Sequence, residues 1–131
     1  MEVLSSRMLL HPRDLERSQR FYEQTLELAV YHEWGGGSQR GVVFFLGGGL
    51  LEVSGSAGSH TPSDAIRLFI QVRDLDATWR RLRDAGVTID EEPARKPWGL
   101  QEMVARDPDG LALVLVEVPP EHPLRKGRDA P

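Results

Sequence analysis

The sequence predicts an α+β fold in which two βαβββ modules form a curved mixed sheet with a groove. Three observations carry this reading. First, one stretch occurs twice: Arg7-Met8-Leu9-Leu10-His11-Pro12-Arg13-Asp14-Leu15 aligns without a gap on Arg67-Leu68-Phe69-Ile70-Gln71-Val72-Arg73-Asp74-Leu75. Second, in each copy a short apolar run leads through Arg-Asp-Leu into a segment of helical period. Third, strand-like runs separated by turn residues follow each helix. The spacing of the copies is too long for a solenoid repeat and suits a duplicated supersecondary unit.

Residues 3–10 read as the first strand, ended by Pro12, which lacks a ladder amide. Asp14 stands where an N-cap carboxylate bonds the open amides of a first turn. Leu15, Phe21, Tyr22, Leu26 and the charges between them predict a helix over 15–26. Leu28 to Trp34, Gly41 to Leu46 and Leu50 to Ser54 read as strands. Gly35-Gly36-Gly37-Ser38 and Gly47-Gly48-Gly49 are turns. Module one spans 1–56, and the small polar stretch 57–64 is the linker. Module two, 65–118, repeats the order. Ala65 to Val72 is a strand with Arg67, Phe69 and Gln71 on one face. Asp74 caps a helix carrying Leu75, Trp79 and Leu82, which Gly86 stops. Val87 to Ile89 begins a strand, 91–97 reads as a loop, and 98–106 as a strand. Asp107-Pro108-Asp109-Gly110 is a turn. Leu111 to Val118 is apolar almost throughout and predicts a strand buried on both faces. Residues 119–131 are a tail or an arm. One face of each sheet packs its helix, and the other is the groove wall.

The 131 residues, 40% hydrophobic and 27% charged, fit one globular domain. A net charge of −4 gives no footprint for nucleic acid. The one mild basic cluster is Arg125, Lys126 and Arg128, offset by Asp129. The chain has no cysteine, which excludes a disulfide scaffold, thiolate metal ligands and a thiol nucleophile. A reducing cytoplasm is the expected location. No apolar run approaches a membrane span, and Met1-Glu2-Val3-Leu4 lacks the start of a secretory leader. The glycine clusters lack the Gly-Lys-Ser/Thr of a phosphate loop, and no Ser-His-Asp arrangement stands out.

Arg13-Asp14-Leu15-Glu16-Arg17-Ser18 with Phe21-Tyr22, then Pro97-Trp98-Gly99, then Asp107-Pro108-Asp109-Gly110, and finally Pro119-Pro120-Glu121-His122-Pro123-Leu124-Arg125 resemble, in order and spacing, the glyoxalase/bleomycin resistance protein/dioxygenase superfamily, whose fold is the vicinal oxygen chelate fold. The resemblance covers nearly the whole chain. It implies paired βαβββ modules and commonly a homodimer. Many members hold one divalent metal, while an antibiotic-binding branch holds none. It also implies a glycine at the end of the first helix, where this chain has Glu27. A positive φ strains glutamate, so a different turn is expected there.

Mapped through these motifs, the metal-ligand places of the family's four strands fall on Arg7, Glu52, Arg67 and Val114. Arginine has no lone pair to give and valine no donor atom, so no metal and no cofactor are expected. His11, His32, His60 and His122 show no HxH or HExxH spacing. His11 shares the face of Arg7, where it either lines the groove or merely ends the strand. His60 and His122 are expected in solvent. Arg7 and Arg67 either pair with Glu52 in place of the metal, so that losing Glu52 costs about 3–5 kcal/mol, or turn out to solvent along their stems. Among the aromatic residues, Trp34, Phe69 and Trp98 are candidate walls for a planar ligand, while Phe45 and Trp79 are expected in the core. Pro-Trp-Gly recurs in drug-binding relatives.

The expectation is a metal-independent homodimer that binds a small, mostly apolar or aromatic molecule in its groove, as in natural-product sequestration and resistance, with no nucleic-acid or membrane partner. Its ligand-binding candidates are Arg7, His11, Trp34, Glu52, Arg67, Phe69, Trp98 and Val114, none of them assigned to catalysis. The alternative is a glyoxalase-like lyase or isomerase or an extradiol-type dioxygenase. A metal-free version would use His11 or Glu52 as general base.

Overall fold

The structure, a computed structural model, describes residues 1–55 and 58–124. The end of module one, the start of the linker and the basic cluster at Arg125, Lys126 and Arg128 therefore lie outside the described residues. Two compact units are present. The first is Met1–Pro62 together with Pro108–Gly110; the second is Ser63–Asp107 with the residues from Leu111 onward.

In the first unit, β1 (Arg7–Leu10) is followed by α1 (Leu15–Arg20), β2 (Val30–Trp34), β3 (Gly41–Leu46) and β4 (Gly49–Val53). The sheet order is β1-β4-β3-β2, with β1 parallel to β4 and the other pairs antiparallel. The Asp14 carboxylate caps α1 by accepting from the Arg17 amide at 3.1 Å. The expected uninterrupted α-helix over 15–26 is corrected: after Arg20 the turn widens into a π segment, Phe21–Thr25. An α-helix would turn adjacent residues about 100° apart. The wider turn buries both Phe21 and Tyr22 against the sheet, with their rings edge to face at 5.1 Å. It closes through the Leu28 amide on the Tyr22 carbonyl at 3.0 Å.

Glu27 then takes φ 56°. The turn therefore keeps the left-handed geometry that the sequence reading expected it to abandon, and the glutamate bears the strain. Gln19, 3% exposed, fastens α1 to the sheet. Its Nε2 donates to the Arg40 carbonyl at 2.7 Å and to the Val53 carbonyl at 3.0 Å. The buried layer beneath the helix is Val42, Phe44, Leu51 and Val53 with Tyr22. The Pro108–Gly110 turn groups with this unit through Asp109, which accepts from the Arg13 amide at 2.9 Å and pairs with Arg17 at 3.3 Å.

The second unit repeats the plan with β5 (Arg67–Gln71), α2 (Leu75–Asp84), β6 (Ile89–Arg95), β7 (Gln101–Arg106) and β8 (Ala112–Glu117), in the order β5-β8-β7-β6. Asp74 caps α2 through the Ala77 amide at 3.0 Å. At the other end Gly86, at φ 77°, lets the Val87 amide reach back to the Leu82 carbonyl at 3.0 Å, the Schellman arrangement. As expected, β8 is buried along almost its whole length. The expected loop over 91–97 is instead mostly β6. Its polar residues suit an exposed edge strand, and Pro93 falls within a register shift between Glu91 and Ala94, where the missing amide breaks no pairing. Trp79, expected in the core, is half-buried on α2, and the Arg83 guanidinium covers its ring, 4.9 Å from the centroid. No helix among the described residues is long and apolar enough to cross a membrane.

Candidate functional site

In the first unit, strand register sorts the residues onto two faces. Arg7 lies opposite Leu50 and Leu9 opposite Glu52, while Val43 and Phe45 face the same two β4 residues from the other side. This is the face away from α1. A bulge in β2 between Val30 and His32 turns Tyr31 onto the same side, where its ring meets Phe45 edge to face at 5.1 Å. Phe45, expected in the core, is 48% exposed. Strand alternation gives the covered side to Phe44 and leaves its neighbour on the open one.

The ionic centre of this face is Glu52. Its Oε1 accepts from Arg7 Nη1 at 2.9 Å, and its Oε2 accepts from Ser54 Oγ at 2.7 Å. Both oxygens thus have partners within the unit. The Ser54 hydroxyl first, then Arg7 and the nearby His11, hold the Glu52 pKa below its ordinary value, against the opposing effect of burial. His11 Nδ1 lies 2.7 Å from the Ser54 carbonyl. A carbonyl can only accept, so Nδ1 carries the proton. Gly55, at φ 65°, leaves room for this ring. Trp34 stands at the far end of the face, its indole laid on Gly41, where a β-carbon would collide with it. The structure therefore brings together Arg7, Glu52 and His11, with Ser54 as the residue that sequence reading missed. The signal was available: Ser54 follows Glu52 by two, the spacing of one strand face.

In the second unit, Arg67, Phe69 and Gln71 project from edge strand β5 on the face away from α2. Phe69 lies opposite Val114, which in turn lies opposite Val104. Val114 belongs to a buried apolar cluster with Leu100, Val104, Ala112, Val116 and Val118, so it serves as floor. Phe69 rises from this floor 53% exposed. Arg67 is exposed and has no ion-pair partner among the described residues.

Trp98, 56% exposed, sits in the turn before β7 with its Nε1 donating to Glu102 at 2.5 Å. His122, expected in solvent, is half-buried over this turn. Its Nδ1 accepts from the Leu124 amide at 3.2 Å, leaving Nε2–H to donate to the Trp98 carbonyl at 3.1 Å. Gly99, at φ 92°, leaves the ring its place. The only sequence signal was, for Glu102, its closeness to Pro-Trp-Gly and, for His122, its place in the ending Pro119 to Arg125.

A separate cleft of about 620 Å³ opens in the first unit beside the start of α1, lined by residues 13–16, Gly37–Gln39 and Gly55. None of the eight candidate residues lines it.

The donor chemistry does not fit a divalent metal. Of the four strand positions implied for ligands, only Glu52 offers an oxygen, and Arg7 and Ser54 already occupy that carboxylate. Among the described residues no group of three or more His, Asp or Glu gathers elsewhere.

The family model for the Glyoxalase/Bleomycin resistance protein/Dioxygenase superfamily matches residues 6–115. Solved structures match the fold over nearly the whole chain. A superfamily member from Sphaerobacter thermophilus is 23% identical with a TM-score of 0.72, covering 89% of this chain and 98% of its own. TnmS3, an antibiotic binding protein from Streptomyces sp. CB03234, is 21% identical with a TM-score of 0.72, covering 90% and 98%. A lactoylglutathione lyase from Agrobacterium tumefaciens is 17% identical with a TM-score of 0.63, covering 89% and 94%. Comparison with curated proteins returned no match.

Proposed function

Because the chain belongs to the glyoxalase/bleomycin resistance protein/dioxygenase superfamily, we propose that it binds a small, mostly apolar or aromatic molecule without a metal, in the manner of natural-product sequestration. The observation that carries this reading is the pairing of exposed aromatics with unsuitable metal-ligand places. Phe69 stands exposed over an apolar floor beside Arg67, and Val114 in that floor has no donor atom. Tyr31, Trp34 and Phe45 are likewise exposed on the open face that carries the Arg7–Glu52 pair. Aromatic side chains with two rotatable bonds offer a planar ligand large contact area at low entropic cost. The fold neighbour described as an antibiotic binding protein is consistent with this use of the fold.

The enzymatic alternative needs a base or a metal. Glu52 is a poor base at neutral pH, because Ser54 and Arg7 hold its pKa low. In the proposal two copies of the chain pair, and each unit offers its own ligand-binding residues: Arg7, His11, Trp34 and Glu52 in the first, and Arg67, Phe69, Trp98 and Val114 in the second.

A screen of natural products by tryptophan quenching, with Trp98→Phe and Trp34→Phe as controls, tests the reading. Saturable quenching that Trp98→Phe weakens supports it. One tightly held divalent ion per purified chain overturns it. Light scattering tests the pairing, for which a mass of one chain is the contrary result.

A further inference from the structure

We propose that the open face of the second unit selects an aromatic molecule carrying an ionised acidic group, with its ring on Phe69 and its carboxylate or phenolate on Arg67. This deepens the binding reading and rests on it. The argument begins with a difference between the two copies of the repeat. Arg7 and Arg67 hold the same place in their modules, yet their charges have different fates. Arg7 is neutralised by Glu52, 2.9 Å away on the neighbouring strand. At the place matching Glu52 the second module has Val114: Leu9 lies opposite Glu52, and Phe69 lies opposite Val114. The duplication thus keeps the cation and replaces its carboxylate by an apolar side chain. Arg67 has no ion-pair partner among the described residues.

What surrounds Arg67 on its face gives the ligand's shape. Phe69, two residues along the strand, is about 7 Å away, and it is exposed above Val114 and Val104. Directly across from Arg67 is Ala112, the smallest side chain of the floor and itself buried. Beyond Ala112 stands Arg106, already held by Asp90 at 2.6 Å and Asp64 at 3.4 Å. Its partners leave Arg67 as the donor to an incoming anion. The acidic end of the face is Glu102, opposite Val116 and engaged by Trp98. An anion is therefore favoured at the Arg67 end and disfavoured near Glu102, which sets the ligand's direction. A planar guanidinium offers a carboxylate two parallel hydrogen bonds and stacks on rings, which a lysine cannot do.

The test is a matched pair of probes, 2-naphthoate and its neutral amide, titrated by calorimetry into the full chain and into variants. The expected result is that wild type binds the acid at least about tenfold tighter than the amide, a factor suited to one charge-assisted contact. Arg67→Met abolishes that preference, and Arg67→Lys restores only part of it. Arg80→Met, which removes an exposed cation from α2 outside the site, leaves the preference in place. Equal binding of the two probes by wild type, or a preference that survives Arg67→Met, overturns the inference and leaves the binding reading standing. Absence of binding by either probe at millimolar concentration overturns this inference and counts against the aromatic-binding reading as well.

Discussion

Arg7 and Glu52 form an ion pair across the parallel β1–β4 ladder, with Nη1 2.9 Å from Oε1. The Arg7 side chain is 37% exposed and that of Glu52 is 14% exposed. A pair open to solvent on one side contributes far less than a buried one. Glu52→Gln should lower stability by about 1 kcal/mol, not the about 3–5 kcal/mol expected of a buried cluster. Urea unfolding at neutral pH measures it, and a loss near the upper figure would mean that the pair is buried in solution.

The same carboxylate gives a pH dependence with a defined sign. Its pKa is lowered in the folded state, so the unfolded chain takes up the proton first as pH falls. The stabilisation is fully present above the ordinary value of 4.5 and is lost as pH falls below it through the lowered one. The stability difference between wild type and Glu52→Gln should therefore be constant from neutrality to about pH 5 and shrink below that. A difference that grows on acidification would contradict the assignment.

Ser18 and Gln19 adjoin on α1, and their substitution should act in opposite directions. Ser18 Oγ is buried with no hydrogen-bond partner among the described residues. Ser18→Ala should raise stability by about 1 kcal/mol by removing that unsatisfied group. Gln19→Leu takes the Nε2 donor from the part-buried carbonyl of Arg40 and the buried carbonyl of Val53. It should cost about 3 kcal/mol. Chemical denaturation of the two variants side by side is the measurement.

Glu27, at φ 56°, bears a conformation that a β-carbon makes unfavourable. Glu27→Gly should stabilise by about 1 kcal/mol, and Glu27→Ala should not. A thermal shift of equal size in both would place the effect in the side chain and not in the backbone.

Gly41 carries the Trp34 indole, so Gly41→Ala must lift the ring off the strand. Trp34 emission should move to longer wavelength, with a loss of about 1 kcal/mol for the broken cross-strand contact. Unchanged emission in a variant retaining only this tryptophan would show that the ring rests elsewhere.

Much of the fold was legible because it rests on local rules. Asp14 and Asp74 cap their helices as carboxylates before a first turn do, Gly86 stops α2, and β8 reads as buried from its unbroken apolar run. Where local signals were ambiguous, the tertiary contacts decided. The polar Glu91-Glu92-Pro93 resembled a loop, yet β7 supplied an edge to pair with. Phe44 and Phe45 are identical in sequence terms, and only the side on which α1 packs determines that one is buried and the other exposed.

By itself the sequence determined the duplication and the βαβββ order of each unit, and it set Arg7, Arg67 and Val114, side chains that offer a metal no donor, on its strands. These depend on residue identity and on spacing along the chain. Only the tertiary structure decided that Arg7 is paired while Arg67 has no ion-pair partner among the described residues, that Ser54 completes the Glu52 site, and that Glu27 bears a glycine's conformation. Each of these depends on which residues long-range strand register and helix packing bring side by side, and contacts of that kind leave no periodic trace in the chain.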